Sequence, residues 1–384
     1  MPLMRTLIRD CNIASPGFQV KHGSILFKDK IIYSILTPGE SLPDADLVVE
    51  ANGLTAIPGL IDIHCHGRNN CDFTDGKTEG VNTIGLNKLK EGVTTMLPTT
   101  LTQSEEALEQ AFSSIAQYDG KGVKMPGIHL EGPFINPSEV GAQNPAYVRM
   151  PDIKLVERLN AIYPIHKVSF APELPGGDTF VTDLLAMGIV PSAAHSSAKY
   201  AEFYRCYAKG LRNLTHFCNQ MTPLHHREIG LVGAGLLHTN VFAEMICDLM
   251  HAGSNMIQLA FKVKGVDHMI LITDAMRAAG MPEGEYDLGG LAVMVSAGAA
   301  RLKENAALAG SVLRMNVALK NVVEATGLPL SEAVRAASLN AAHSLNYKNV
   351  GRIETGFTAD VALIDENFIV HNTFVDGQMR YSLD

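Results

Sequence analysis

The stretch AIPGLIDIHCHG, residues 56–67, combines an apolar run with two histidines at its end. In a β-strand the side chains of residues i and i+2 point to the same face. His64 and His66 can therefore converge on one ion, with Cys65 facing away. A His-x-His pair alone is a weak signal, because two hydrogen-bonded polar residues at a strand end give the same pattern. The pair gains weight if other runs of the chain end in the same way.

Seven further apolar runs follow, and each also ends in polar or ionisable residues. They are VTTMLPTT, MPGIHLEGP, HKVSFAPE, IVPSAAHSS, LRNLTHFCN, FAEMICDLMH and HMILITDAM, beginning near residues 93, 125, 166, 189, 211, 242 and 268. The intervals leave room for a helix between runs, as parallel βα units require. TEGVNTIGLNKLKEG and SEEALEQAFSSIAQYDG have helical patterns. Eight such units predict an α/β fold, a (β/α)₈ barrel, whose active site lies at the carboxyl ends of the strands.

The two ends of the chain have a different pattern. Residues 1–55 and the stretch after Gly351 contain alternating apolar positions between Gly and Pro turns, which indicates short β-strands. The sequence therefore predicts a catalytic barrel over residues 56–345. It also predicts one small discontinuous β-sandwich domain, formed by residues 1–55 and 346–384.

Composition excludes several classes of protein. Hydrophobic residues make up 46% of the 384 residues, which is enough for a large core and excludes a disordered chain. The net charge is -9, whereas a nucleic-acid-binding protein typically has an excess of clustered basic residues. No apolar run is long enough to cross a membrane, and the N-terminal residues do not have the pattern of a signal peptide. We therefore expect a cytoplasmic protein with neither a nucleic-acid nor a membrane partner.

Four ionisable residues at the ends of later runs complete a candidate metal site. Glu131, His195 and His216 end three of these runs, and Asp274 ends the last. Two histidines and one carboxylate are a usual ligand set for a catalytic divalent ion, with one position left for water. Burial of such a cluster without a metal carries a large desolvation cost. The pattern predicts at least one ion, either zinc or iron. Asp274 could be a ligand, a general base or both.

Five motifs then carry a resemblance to a known family. PGLIDIHCHG, HLEGPF, AAHSS, THFCNQMTPLHHRE and LITDAM, between Pro58 and Gly310, resemble the amidohydrolase superfamily. Within it they resemble the N-acetylglucosamine-6-phosphate deacetylases and the related N-acetylgalactosamine-6-phosphate deacetylases. The resemblance implies hydrolysis of N-acetyl-D-glucosamine 6-phosphate to glucosamine 6-phosphate and acetate. The galactosamine substrate is the alternative, because the two sugars differ only in the orientation of the C4 hydroxyl.

The resemblance also implies a metal ligand set. Glu131, His195 and His216 match the ligands of the main ion. His64 and His66 match a pair that holds a second ion in some members, with Glu131 as the bridge. One or two ions per subunit are thus expected, with zinc as the first choice and iron as the alternative.

The remaining roles follow from the same matches. Asp274 matches the catalytic acid/base. The resemblance further implies a homodimer, in which Arg227 reaches the site of the neighbouring subunit. The positions assigned to the phosphorylated N-acetyl amino sugar are Ala142, Asn219, Gln220, Arg227, His251, Leu308, Ala309 and Gly310.

Two positions depart from the family pattern. Gln220 stands where the family commonly has alanine, and Gln143 stands where members often have histidine. Each departure puts one contact near the substrate in doubt. Neither changes a metal ligand or the acid/base.

Two other functions remain as alternatives. Hydantoinases and dihydroorotases share the His-x-His start but bridge two metals through a carboxylated lysine at the end of the fourth strand. Here that run ends in Glu173, and Lys167 lies at its beginning. The second alternative is an inactive barrel used as a binding module. Metal content together with acetate release from an N-acetyl sugar phosphate distinguishes it from an enzyme.

Overall fold

The computed structural model describes residues 4–383 and confirms the predicted barrel. Within this range no helix is both long and apolar enough to cross a bilayer. The strands are β1 (Arg5–Ser15), β2 (Phe18–Lys28), β3 (Ile31–Leu36), β4 (Leu47–Glu50), β5 (Thr55–Pro58), β6 (Leu60–Cys65), β7 (Gly67–Arg68), β8 (Cys71–Asp72), β9 (Val93–Thr100), β10 (Ile128–Glu131), β11 (Ile165–Phe170), β12 (Val190–Ala193), β13 (Asn213–Leu214), β14 (Phe242–Ile246), β15 (Met269–Ile272), β16 (Gly284–Leu288), β17 (Leu291–Ser296), β18 (Ala299–Leu302), β19 (Val361–Ile364), β20 (Val370–Val375) and β21 (Gln378–Ser382). The α-helices are α1 (Thr78–Lys88), α2 (Glu105–Ala116), α3 (Ile153–Ile162), α4 (Gly177–Ala186), α5 (Tyr200–Ala208), α6 (Gly230–Leu237), α7 (Ser254–Lys264), α8 (Met315–Thr326), α9 (Leu330–Ala336) and α10 (Leu339–Ser344).

Eight parallel strands form the barrel, in the order β6, β9, β10, β11, β12, β13, β14 and β15. They correspond to the eight apolar runs of the sequence. Every residue of β6 and β9 is buried, as expected for parallel strands covered on both faces. Both predicted helical segments contain a helix, α1 and α2. The second begins where the Ser104 hydroxyl accepts a hydrogen bond from the Ala107 N–H at 3.2 Å, a favourable N-terminal cap.

The barrel closes where its eighth strand meets its first. The Asp274 N–H donates to the His64 carbonyl oxygen at 2.8 Å, and the His66 N–H donates to the Ala275 carbonyl oxygen at 2.8 Å. These hydrogen bonds join the segment after β15 to β6. Closure thus places residues from the two ends of the barrel sequence side by side.

A buried ionic cluster supports this closure. Asp62, on β6, accepts a hydrogen bond from the Thr273 hydroxyl at 2.5 Å. The Lys88 ammonium lies 2.8 Å from the Asp62 carboxylate and 2.9 Å from that of Glu91. All three charged side chains are fully buried, where each charge needs a partner. The cluster therefore ties α1 to the seam between β6 and β15.

Strands from both ends of the chain join one further sheet. Its order is β21, β20, β19, β5, β1, β2 and β3, with β4 paired to β1. Phe27 and Phe374 pack edge to face within its core, with ring centroids 5.6 Å apart. One detail differs from the expectation, because β5 pairs with β19 in this sheet although it begins the first apolar run. The division into two domains at residues 55/56 and 345/346 stays a prediction.

The chain passes from this sheet into the barrel at Gly59. A Cβ atom at this position would lie 2.2 Å from the Thr94 hydroxyl, so only glycine allows the two segments to approach.

A three-stranded antiparallel sheet, β16–β18, lies between β15 and α8 and was not predicted. Its residue Leu288 packs in one apolar cluster with Leu101, Met276 and Ala309. The insertion thereby contributes an apolar side chain next to residues that follow the barrel strands.

Candidate active site

Two groups of three buried side chains meet at the carboxyl ends of the barrel strands. Within each group, the potential ligand atoms lie within 4.8 Å of one another. The six residues are those predicted from the ends of the apolar runs. The first group is His64, His66 and Asp274, and the second is Glu131, His195 and His216.

The Glu131 carboxylate faces both groups. Its Oε1 atom lies 3.0 Å from His216 Nε2 and 3.4 Å from His195 Nε2. Its Oε2 atom lies 3.1 Å from His66 Nε2 and 3.4 Å from His64 Nε2. One carboxylate thus offers an oxygen to each group, which is the arrangement of a bridging ligand.

The orientation of the imidazole rings suits a divalent ion. Three Nδ1 atoms lie within hydrogen-bond distance of backbone carbonyl oxygens: His66 of Thr99 (3.2 Å), His195 of Glu139 (2.8 Å) and His216 of Asn219 (3.1 Å). A carbonyl oxygen only accepts, so the proton of each neutral ring belongs on Nδ1. When such a ring is neutral, as metal binding requires, its Nε2 presents a lone pair towards the centre of the site; when the ring is protonated, the same Nε2 donates a hydrogen bond to a neighbouring carboxylate.

The backbone adopts an unusual conformation at three of these residues. The φ angles of His195, His216 and Asp274 are 45°, 35° and 47°, in the left-handed region that costs a non-glycine residue about 1–3 kcal/mol. Hydrogen bonds hold the turn at Asp274, whose carbonyl oxygen accepts from the Ser311 N–H at 2.8 Å. Each strand therefore ends in a sharp turn that directs its last side chain into the site.

Both carboxylates are ionised in this environment. Burial raises the pKa of Asp274, but the charge of His64 and the hydrogen bond from His66 outweigh it and lower the pKa to about 2. Burial likewise raises the pKa of Glu131, yet the surrounding histidines hold it well below its usual value. Ionised oxygens are the form that binds a metal ion or accepts a proton.

Five of the six side chains, all but that of His64, line a cavity of about 230 Å³. Six of the residues expected to contact the substrate line it: Ala142, Asn219, Gln220, His251, Leu308 and Gly310. Ala309 is fully buried behind the cavity wall. Arg227 is exposed outside it, 2.8 Å from His226 Nε2. The substrate roles of these residues stay predictions.

Asp248, which was not predicted from the sequence, positions His251. The Asp248 Oδ2 atom lies 2.7 Å from His251 Nδ1, and its Oδ1 atom accepts from the His251 N–H at 2.8 Å. Burial raises the pKa of Asp248. The hydrogen bond and charge of the His251 ring, together with the N–H groups of Met250 and His251, outweigh burial and hold this pKa below its usual value. The signal was present in the sequence, because an aspartate three residues before a histidine can reach its ring at a strand end.

Two other ionisable residues of the fourth run lie outside both groups. Glu173 accepts hydrogen bonds from the Ser196 hydroxyl at 2.6 Å and from the Ser197 N–H at 2.7 Å, and so holds the loop after His195. The Lys167 ammonium pairs with Glu244 inside the barrel. The carboxylate that faces both groups is that of Glu131, so the bridging position is taken by this residue and not by Lys167.

Comparison with known proteins gives one consistent result. The profile of the Amidohydrolase family matches residues 55–380. An N-acetylglucosamine-6-phosphate deacetylase of Lysinibacillus sphaericus is 38% identical over 86% of this chain and 87% of its own length. An N-acetylgalactosamine-6-phosphate deacetylase of Escherichia coli O157:H7 is 34% identical over 86% of this chain and 89% of its own length.

A solved structure agrees with these relatives. It is a mutant N-acetyl-D-glucosamine-6-phosphate deacetylase of Mycobacterium smegmatis in complex with N-acetyl-D-glucosamine-6-phosphate. It superposes with a TM-score of 0.92 at 27% identity and covers 100% of both chains. The chain belongs to the amidohydrolase family and, within it, to the branch that these deacetylases form.

Proposed function

We propose that this protein is a metal-dependent amidohydrolase that removes the N-acetyl group of N-acetyl-D-glucosamine 6-phosphate. The products are glucosamine 6-phosphate and acetate. The observation that carries the proposal is the pair of buried ligand groups that share Glu131 in one cavity, in a chain related to deacetylases over most of its length. Imidazole and carboxylate ligands favour zinc, with iron as the alternative.

The residues of the site account for the proton transfers of amide hydrolysis. A divalent ion held by Glu131, His195 and His216 would lower the pKa of water and polarise the acetyl carbonyl. Asp274 is ionised and lies at the centre of the site, so it can accept a proton from the attacking water. As the carbon–nitrogen bond breaks, Asp274 returns that proton to the leaving amine. We assign to His251, whose ring is held by Asp248, the orientation of the carbonyl or of a sugar hydroxyl.

Acetate release from the purified protein tests the proposed activity. The two substrates are N-acetyl-D-glucosamine 6-phosphate and N-acetyl-D-galactosamine 6-phosphate. The galactosamine substrate is the second candidate, because a relative with that activity is 34% identical. We expect the larger kcat/KM for the glucosamine substrate. Bound metal without acetate release from either sugar would instead favour a binding module.

The position of Arg227 bears on the oligomeric state. Its side chain is exposed outside the cavity of its own chain. A guanidinium matches a phosphate group well, since its planar fork can donate two parallel hydrogen bonds. We propose that the enzyme is a homodimer in which Arg227 reaches the substrate phosphate in the partner's cavity. The cytoplasmic location stays a prediction.

Arg227→Ala should raise KM for the phosphorylated sugar by about tenfold or more, because a hydrogen bond to a charged group contributes about 1.5–3 kcal/mol. KM for a non-phosphorylated N-acetyl amino sugar should change much less. Steady-state kinetics with both compounds gives the comparison, and Arg9→Ala, an exposed arginine paired with Glu50, serves as the control. Equal effects on both compounds would show that Arg227 does not bind the phosphate.

A further inference from the structure

Gln143 lies in the wall of the cavity and contacts the bridging carboxylate. Its side chain is 5% exposed. The Nε2 atom donates a hydrogen bond to Glu131 Oε2 at 2.8 Å. The Oε1 atom accepts one from the Thr102 N–H at 2.7 Å. Both ends of the amide are therefore used, by the loop that follows β9 and by the last residue of β10.

These two partners determine which way the amide points. The Thr102 N–H can only donate, so it must face the amide oxygen. The Glu131 Oε2 atom accepts the hydrogen bond at the other end, so it faces the amide nitrogen. The reversed amide would place two donors together at one end and two acceptors at the other. The orientation of the Gln143 amide is thus fixed by the donor at one end and the acceptor at the other.

Gln143 donates its hydrogen bond to only one of the two Glu131 oxygens, the one that faces His64 and His66. Oε2 is the atom nearest His64 and His66, whereas Oε1 faces His195 and His216. A carboxylate that can rotate would not keep one oxygen on each group. Gln143 resists this rotation, because its own amide is anchored to the backbone of Thr102.

We propose that Gln143 is a positioning residue that fixes the Glu131 carboxylate in its bridging orientation. The proposal rests on the metal dependence of the proposed function, but not on the identity of the substrate. Residues that orient a metal-binding carboxylate typically change metal affinity by about 10–100-fold when they are replaced. This role does not follow from the family pattern, which often has histidine at this position.

Zinc titration of the metal-free protein tests the proposal without any substrate. Gln143→Met keeps nearly the same side-chain length but cannot donate a hydrogen bond. We expect the affinity for Zn²⁺, measured in competition with a chromophoric chelator, to fall at least about tenfold. Gln103→Met is the matched control, because the Gln103 amide donates to the Gly289 carbonyl oxygen at 3.2 Å and does not contact Glu131. Its zinc affinity should equal that of the wild type.

Two further readouts separate positioning from general stability. The metal-free Gln143→Met protein should have a lower thermal midpoint, because the buried Thr102 N–H loses its acceptor, so the zinc titration is carried out well below that midpoint. The kcat of this variant should approach the wild-type value at saturating Zn²⁺. Gln143→Ala, which adds no bulk, gives the same test if the methionine variant does not fold. A loss of zinc affinity below about tenfold, or an equal loss in Gln103→Met, would overturn the proposal. If the protein showed no deacetylase activity, the zinc titration could still be interpreted, because it uses no substrate.

Discussion

Asp274→Asn should lower kcat by about 10²–10⁴-fold, the usual contribution of a general acid–base residue. The amide of asparagine has nearly the same shape as the carboxylate but cannot accept the proton of the attacking water. The pKa of Asp274 lies well below neutral, so the wild-type side chain is in the form that can accept a proton. The loss should therefore appear in kcat far more than in KM.

The metal content of this variant decides how the loss is interpreted. Elemental analysis should show that the ion held by Glu131, His195 and His216 is retained, since Asp274 belongs to the other group. Asp267→Asn is a suitable control, because its side chain is 69% exposed and lies outside the cavity. A kcat within a few-fold of the wild type would remove Asp274 from the mechanism.

The barrel could be predicted because its signal is local and repeated. Each strand of a parallel barrel is covered on both faces, so it appears in the sequence as a short apolar run. The polar end of each run then marks the catalytic face, which is how residues as distant as His64 and Asp274 could be assigned to one site. The insertion β16–β18 could not be placed in this way, because its position beside the cavity depends on long-range packing.

The ligands were easier to predict than the residues that position them. Histidines and carboxylates at strand ends are visible in the sequence, but the left-handed turns that direct His195 and His216 inwards depend on hydrogen bonds from other segments. Gln143 is a clear example. The sequence showed only a departure from the family pattern, whereas its contact with Glu131 requires two loops to be brought together by the fold.

Arg227 shows a different limit. Its assignment to the phosphate came from the resemblance alone, and the fold of one chain leaves it on the surface. The contact proposed for Arg227, with the substrate in a second copy of the chain, would leave no pattern in the periodicity of a single sequence.

Removal of the metal by a chelator should lower kcat/KM by about 10²–10⁴-fold, because a Lewis-acidic ion contributes several kcal/mol to the transition state. Activity should return on addition of Zn²⁺. Metal removal should also lower stability, since it leaves ring nitrogens facing each other. His64 Nε2 lies 3.2 Å from His66 Nε2, and His195 Nε2 lies 3.2 Å from His216 Nε2.

The thermal midpoint of the chelated protein therefore gives a readout that does not depend on substrate. An ion that binds only the folded protein stabilises it by about 2.7 kcal/mol at 100 times its dissociation constant, so added Zn²⁺ should raise the midpoint. His66→Asn should reduce the zinc content by one ion per chain if both groups are filled, because it removes a ligand from the first group only. An unchanged midpoint together with full activity after chelation would contradict a metal site. In that case some interaction other than metal binding would have to offset the desolvation cost of burying four imidazoles and two carboxylates together.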